Sequence, residues 1–130
     1  MDVIHAAVAQ DHQHEPSGDA ALLSGWGRST GSRATLVAPS SAADVAAALA
    51  GAGPAGVIAR GLGRSYGDPA MNAGNGVIDT LRLDRMLAFD PESGVLRCEA
   101  AVSLAAILDA MLPRGFFFPV TPGTKFVTLG

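Results

Sequence analysis

The chain of 130 residues is poor in cysteine, in aromatic side chains and in net charge. Its single cysteine, Cys98, can form no disulfide within the chain, and no group of Cys and His has the spacing of a zinc site. A net charge of −3 with scattered basic residues gives no basic face of the kind that binds nucleic acid. No apolar run approaches the roughly 18 residues that cross a bilayer.

The first residues are polar, acidic and rich in histidine. They have no basic region and therefore lack the features of a secretory signal peptide. We expect a disordered tail over residues 1–20 and order from about Leu22 onwards. His5, His12 and His14 all fall in this tail, so the sequence offers no metal site and no Ser-His-Asp triad.

Hydrophobic residues make up 48% of the chain, enough for a core. Helix starts are predicted at Ser41, with Asp44 three residues later, and at Ser103, because serine caps helix N-termini. The cluster from Asp90 to Gly94 predicts a hairpin turn. Trp26, between two glycines, is interpreted as an anchor for the N-terminal segment. Three short runs are predicted to be strands: ATLVAP, GVIA and VIDT. FFFPV is predicted to be a strand or a strand-like segment, and both GVIA and FFFPV are expected to be buried. The order strand, helix, strand at the start predicts a parallel crossover.

The stretch ARGLGRSYGDPAMNAGNG, from Ala59 to Gly76, is the first candidate site. It is not a Rossmann turn, because Tyr66 stands where the third glycine belongs, and it is not a P-loop, because no Gly-Lys-Ser/Thr follows. What remains is a glycine-rich loop after a strand, in which backbone N–H groups, Arg64 and Ser65 could bind an anion such as pyrophosphate. A turn-rich connection without a ligand is the alternative.

A second candidate is FPVTPGTKFVTLG, at the end of the chain. It places a Pro-Gly-Thr turn and several hydroxyl groups after a hydrophobic run, and an ordinary turn is the alternative. The final residues, VTLG, are apolar, as we expect of an element that is cut short. No pair of carboxylates has a spacing suited to acid–base catalysis, and Cys98 is interpreted as a packing residue.

The motifs GWGR, ARGLGRSYGD, VID and PVTPGTKFVTLG, in this order, resemble the N-terminal part of FAD-dependent oxidases of the vanillyl-alcohol-oxidase and p-cresol-methylhydroxylase type. The resemblance covers roughly residues 22–130. It implies an α+β fold, the FAD-binding domain of that type, with mixed sheets and flanking helices. It also implies that residues 21–130 are the N-terminal part of this domain, truncated at its C-terminal end, with the substrate domain absent.

The resemblance further implies FAD as the cofactor. The first loop would wrap its pyrophosphate and the second would approach the flavin. The residues implied to bind FAD are Ala59, Arg60, Gly61, Leu62, Gly63, Arg64, Ser65, Tyr66, Gly67, Asp68, Pro69, Gly123, Thr128, Leu129 and Gly130.

As for activity, the resemblance implies oxidation of a lipid-linked pentose in cell-wall arabinan synthesis. The sugar would bind through the missing domain, and a partner reductase would complete the epimerisation. The chain would be soluble, either cytoplasmic or associated with the cell envelope, and inactive on its own. Oxidation of an aldonolactone or another alcohol, a non-catalytic flavin-binding module, and an interaction protein without a ligand are the alternatives. No catalytic residue, metal, nucleic acid or transmembrane segment is expected.

Overall fold

A computed structural model describes residues 18–130, which form two β-sheets and two α-helices. The strands are β1 (Asp19–Ser24), β2 (Gly31–Val37), β3 (Val57–Arg60), β4 (Gly76–Asp79), β5 (Met86–Asp90) and β6 (Val95–Cys98); the helices are α1 (Ala42–Ala50) and α2 (Leu104–Met111), with short 3₁₀ turns at Thr80–Arg82 and Leu112–Arg114. The predicted tail lies mostly outside the described residues. The first element of the described residues is β1, which begins at Asp19, ahead of Leu22.

The larger sheet has the strand order β1-β2-β4-β3. Strand β1 is antiparallel to β2, whereas β2 and β3 both run parallel to β4. The predicted parallel relation of β2 and β3 is confirmed, with β4 inserted between them. GVIA was expected to be buried on both faces, and this is wrong: β3 forms an edge with Ala59 exposed, while Val77 in β4 is 0% exposed. Pairing on both sides gives β4 the central position.

Both helix starts follow the predicted caps. The Ser41 hydroxyl accepts a hydrogen bond from the Asp44 N–H at 3.1 Å, and the Ser103 hydroxyl accepts one from the Ala106 N–H at 3.1 Å. Hydrogen bonds from Ser40 and Ser41 hold the pKa of Asp44 below its ordinary value. The helices differ in packing, because α1 has no buried residue whereas α2 buries two side chains in the core.

The smaller sheet is the predicted hairpin of β5 and β6. The Asp90 carboxylate accepts hydrogen bonds from the Glu92 N–H and the Ser93 hydroxyl, and Gly94 closes the turn with φ at +71°. The hairpin packs on α2 around a core of Val102, Ile107 and Met111.

FFFPV, predicted to be a buried strand or strand-like segment, is not a strand, because residues 116–120 pair with no strand in the described part of the chain. Phe116 and Phe118 are half-buried against the core, while Phe117 between them is 65% exposed. The side chains alternate as in a strand, but Pro119 has no N–H for a ladder. The run therefore serves packing without joining a sheet.

Residues 123–130 form the C-terminal segment, which lies along the start of α2. Four backbone hydrogen bonds hold it: Leu104 N–H to Val127 O, Ala105 N–H to Lys125 O, Leu129 N–H to Val102 O, and Gly130 N–H to Ala100 O, at 2.9–3.1 Å. Two of them satisfy N–H groups of the first turn of α2, which have no partner within the helix. The helix start thereby positions the end of the chain.

No helix in residues 18–130 has the length and apolar character needed to cross a membrane. Within the same range, no three His, Cys, Asp or Glu side chains lie close enough together to hold a metal ion. The three histidines fall outside the described residues.

Candidate functional site

The two loops singled out in the sequence lie against each other. The loop after β3, residues 61–69, is called the glycine loop, and its first residue touches the C-terminal segment: a Cβ on Gly61 would lie 2.5 Å from the Thr128 hydroxyl oxygen. Between the two lies a cleft of about 220 Å³, the donor cleft. It is lined chiefly by Gly61, Leu62, Gly63, Arg64, Ser65 and Thr128.

A second and larger cleft, of about 640 Å³, adjoins the donor cleft and shares Arg64 with it. The rings of Trp26 and Tyr66 form one wall, packed edge to face with centroids 5.6 Å apart. Gly123 and Phe126, from the C-terminal segment, contribute to the lining. The backbone N–H of Trp26 donates to the Ser65 carbonyl at 3.0 Å, while the Trp26 side chain is 56% exposed, so its predicted role as an anchor stays a prediction.

The backbone of the glycine loop leaves its donors available. Among the described residues, none accepts a hydrogen bond from the N–H groups of Leu62 to Gly67. Gly63 and Gly67 have φ at +64° and +68°, a left-handed conformation that favours glycine. Successive N–H groups without a partner at a concave surface are suited to binding an anion.

The two arginines of the loop have different surroundings. Arg64 is exposed at the boundary of both clefts, and it forms no ion pair within the described residues, where Arg85 and Glu99 make the single ion pair. Arg60 instead donates from its guanidinium to the carbonyls of Ser24, at 2.7 Å, and Ala70, at 3.0 Å. Only Arg64 is therefore placed to meet a ligand with its charge.

Residues 34–130 match the family described as FAD binding domain. The chain belongs to this family. It is also 43% identical over 111 residues to the decaprenylphosphoryl-beta-D-ribose oxidase of Mycolicibacterium smegmatis, strain ATCC 700084 / mc(2)155. That alignment covers 83% of the chain and 24% of the relative, so the chain spans about a quarter of the relative's length.

The predicted family, the α+β FAD-binding fold and FAD as the cofactor are thereby confirmed. The donor cleft of this FAD-binding domain fits the diphosphate of the cofactor. It offers backbone N–H groups, the Arg64 guanidinium and the Ser65 hydroxyl, and no side-chain carboxylate lines it among the described residues. Charge-assisted hydrogen bonds of this kind are the strong ones in anion recognition.

The structure distributes the other predicted residues of the FAD-binding domain around these clefts. Gly130 lines the donor cleft, and Tyr66 and Gly123 line the larger one. Ala59 and Arg60, which precede the loop, line neither cleft, and nor do Gly67, Asp68 and Pro69 in its second half. Leu129 lines a different, apolar cleft beside α2.

Sequence reasoning did not assign several residues that line the clefts. Ala70 and Val127 border the donor cleft, and Trp26, Thr124 and Phe126 border the larger one. The signal for Trp26 was its isolation as the only tryptophan, between two glycines. The others are ordinary residues whose position depends on the meeting of two distant segments.

Cys98 lies in the apolar cleft, of about 210 Å³, together with Phe89, Ile107, Phe116 and Leu129. Burial raises the pKa of its thiol above the ordinary value, so the thiol stays protonated at neutral pH. A protonated thiol among apolar side chains behaves as a packing residue.

Proposed function

We propose that the glycine loop binds the diphosphate of FAD and that the chain is the FAD-binding part of an oxidoreductase acting on CH–OH groups. The observation that carries this proposal is the donor cleft of about 220 Å³, which is lined by Arg64 and by loop residues whose N–H groups, from Leu62 onwards, have no acceptor among the described residues. Membership of the FAD-binding domain family supports the diphosphate of FAD as the anion.

Individual residues take the following roles in this proposal. Gly61 to Ser65 contact the diphosphate, with Arg64 as its cationic ligand and the Ser65 hydroxyl as a further donor. Thr128 and Gly130 border the diphosphate from the C-terminal segment. Tyr66 and Gly123 line the path of the cofactor beyond the diphosphate, Leu129 lines the apolar cleft instead, and the remaining residues of 59–69 shape the loop. Bound FAD supplies the two-electron acceptor for the oxidation of an alcohol. This chain orients it and excludes water, and we assign it no catalytic base.

The substrate we propose is decaprenylphosphoryl-β-D-ribose, oxidised at its ribose during synthesis of the cell-wall arabinan precursor. Support comes from the 43% identity with the mycobacterial oxidase of that name. In the proposal, the lipid-linked sugar binds through a separate substrate domain of the whole protein, a partner reductase completes the epimerisation, and the chain works in the cytoplasm or at the cell envelope. Residues 1–130 alone bind FAD without turning over substrate.

Titration of the purified chain with FAD and with riboflavin tests the cofactor assignment. Riboflavin lacks the diphosphate, so the chain should bind FAD more tightly by about 100-fold, the effect of two lost charge-assisted bonds. Flavin fluorescence and the emission of Trp26, the only tryptophan, follow binding. Equal affinity for both flavins would contradict the diphosphate role.

The activity is tested on the whole protein that contains this chain. We expect reduction of the flavin by the lipid-linked ribose in the absence of oxygen, seen as bleaching of the flavin absorption. Reduction by an aldonolactone but not by the lipid-linked ribose would replace the proposed substrate. FAD binding without reduction by any alcohol would make the domain a non-catalytic flavin-binding module.

A further inference from the structure

The side chain of Arg60 is enclosed by the glycine loop that follows it. One terminal nitrogen, Nη1, donates to the Ala70 carbonyl at 3.0 Å, just past the end of the loop. The other, Nη2, donates to the Ser24 carbonyl at 2.7 Å, at the end of β1. Gly63 covers the same group so closely that a Cβ there would lie 2.3 Å from Nη2. The guanidinium thus contacts the first half of the loop, the residue just past its far end, and the end of β1, which is the other edge strand of the larger sheet.

The backbone of Arg60 is itself fixed. Arg60 pairs with Asp79 in the β3–β4 ladder, and the Thr80 hydroxyl donates to the Arg60 carbonyl at 3.2 Å. The guanidinium is a planar fork, so with the Arg60 backbone fixed its two terminal nitrogens can donate to two carbonyls at once. A lysine ammonium does not reproduce this geometry. The fork therefore connects β3, at one edge of the larger sheet, to the end of β1 at the other edge and to the residue that follows the loop.

From these contacts we infer that Arg60 is a positioning residue of the FAD site, which holds the glycine loop in its binding shape and does not contact the cofactor. The inference rests on the proposed function for its link to FAD. The two arginines have different roles in this inference. Arg60 donates to backbone carbonyls of the fold. Arg64 lines both clefts and has no acidic partner among the described residues.

Two backbone amides report the shape of the loop in the absence of FAD. The Trp26 N–H donates to the Ser65 carbonyl, and the Met71 N–H donates to the Asp68 carbonyl at 3.1 Å. If Arg60 holds the loop, its loss frees both amides for exchange with solvent. The amides of Gly51, at the C-terminal end of α1, and of Ile107, in the first turn of α2, serve as controls for the rest of the fold.

The experiment compares the native chain with Arg60→Met, Arg60→Lys and Arg64→Met by hydrogen exchange without FAD and by FAD titration. Arg60→Met should speed exchange at Trp26 and Met71 about tenfold and weaken FAD binding about tenfold, as expected for lost charge-assisted bonds. Arg60→Lys keeps the charge but not the fork, and it should resemble Arg60→Met. Arg64→Met should weaken FAD binding and leave exchange at both amides unchanged.

If the amides of Trp26 and Met71 exchange at the same rate in Arg60→Met as in the native chain, the inference is wrong. Native FAD affinity in Arg60→Lys also overturns it, because the charge rather than the fork would then be what matters. If Arg60→Met speeds exchange at Gly51 and Ile107 as well, the whole domain is destabilised and the Arg60→Lys comparison decides. If the native chain does not bind FAD, the proposed function fails, while the exchange data still decide whether Arg60 holds the loop.

Discussion

Gly61 lies so close to Thr128 that a single added carbon on the glycine would approach the threonine hydroxyl oxygen to 2.5 Å. This contact joins the glycine loop to the C-terminal segment and closes one end of the donor cleft. Gly61 has no positive φ, so an alanine there meets a steric obstacle rather than backbone strain. The contact can therefore be tested by substituting each residue alone and both together, because Thr128→Ala should relieve the steric cost of Gly61→Ala.

Gly61→Ala should lower the free energy of unfolding by about 1–3 kcal/mol, the usual cost of overpacking, and weaken FAD binding. Thr128→Ala removes the obstructing oxygen, since the next threonine atom, Cβ, would be 3.6 Å away. The double variant should recover much of the loss, as urea denaturation of all four proteins would show. Gly27→Ala, with no atom within 4 Å, is the matched control. Strictly additive effects would mean that the two residues do not meet.

Arg64→Gln should reduce the affinity for FAD by about 1.5–3 kcal/mol, because a charge-assisted bond to the diphosphate is lost. Its binding should also depend less on salt concentration than that of the native chain. Arg97→Gln, at an exposed arginine in β6, is the control and should bind FAD as the native chain does. Titrations followed by flavin fluorescence at low and high salt provide the measurement. An Arg64→Gln variant with native affinity would remove Arg64 from the site.

The two helix caps should differ in their effect on stability. Ser103→Ala should cost about 0.5–2 kcal/mol of global stability, because Ser103 caps α2 and this helix carries the core residues Ile107 and Met111. Ser41→Ala removes an equivalent cap from α1, which buries no residue, so only local exchange in that helix should rise. Chemical denaturation and hydrogen exchange separate the two results. Equal global losses would show that α1 contributes as much to the fold as α2.

Acid should weaken the pair formed by Arg85 and Glu99. The carboxylate accepts hydrogen bonds from the Arg85 backbone and side chain, which hold the pKa of Glu99 below its ordinary value of 4.5. The folded state thus favours the ionised form, so its contribution is present above about pH 4.5 and is lost as the pH falls through the lower folded pKa.

Glu99→Gln should therefore lower Tm near neutral pH. It should also reduce the dependence of Tm on pH between 5 and 3, by about the amount that one titrating carboxylate contributes. Glu92→Gln, at an exposed position of the hairpin turn, is the matched control. Thermal unfolding followed by circular dichroism across this pH range gives the comparison. Parallel pH profiles for native and Glu99→Gln proteins would contradict the prediction.

The features predicted correctly from sequence depend on a few neighbouring residues. The caps at Ser41 and Ser103 and the turn from Asp90 to Gly94 follow from side chains that bond to backbone three or fewer positions away. Interactions between such near neighbours can be predicted from the residue types and their spacing alone.

Other features depend on distant partners and could not be read in the same way. The edge position of β3 follows from the insertion of β4 between β3 and β2. FFFPV has the apolar composition that is typical of a buried strand, although it joins no sheet in the described residues. The two segments that line the clefts, the glycine loop and the C-terminal segment, are both recognisable in the sequence as candidate sites. The orientation of Arg60, by contrast, is set by carbonyls at Ser24 and Ala70, which no spacing rule connects to it.

Ser24, Arg60 and Thr128 bring the beginning, the middle and the end of the described chain to one loop. Contacts between such distant residues form late in folding, because long stretches of chain must first be closed. On the ribosome, the loop cannot be completed until Thr128 has left the exit tunnel, so cofactor capture follows synthesis of residues 1–128. A ligand that binds only the folded state stabilises it in proportion to the logarithm of its free concentration. A cell short of riboflavin would thus hold less of this FAD-binding domain in its folded form.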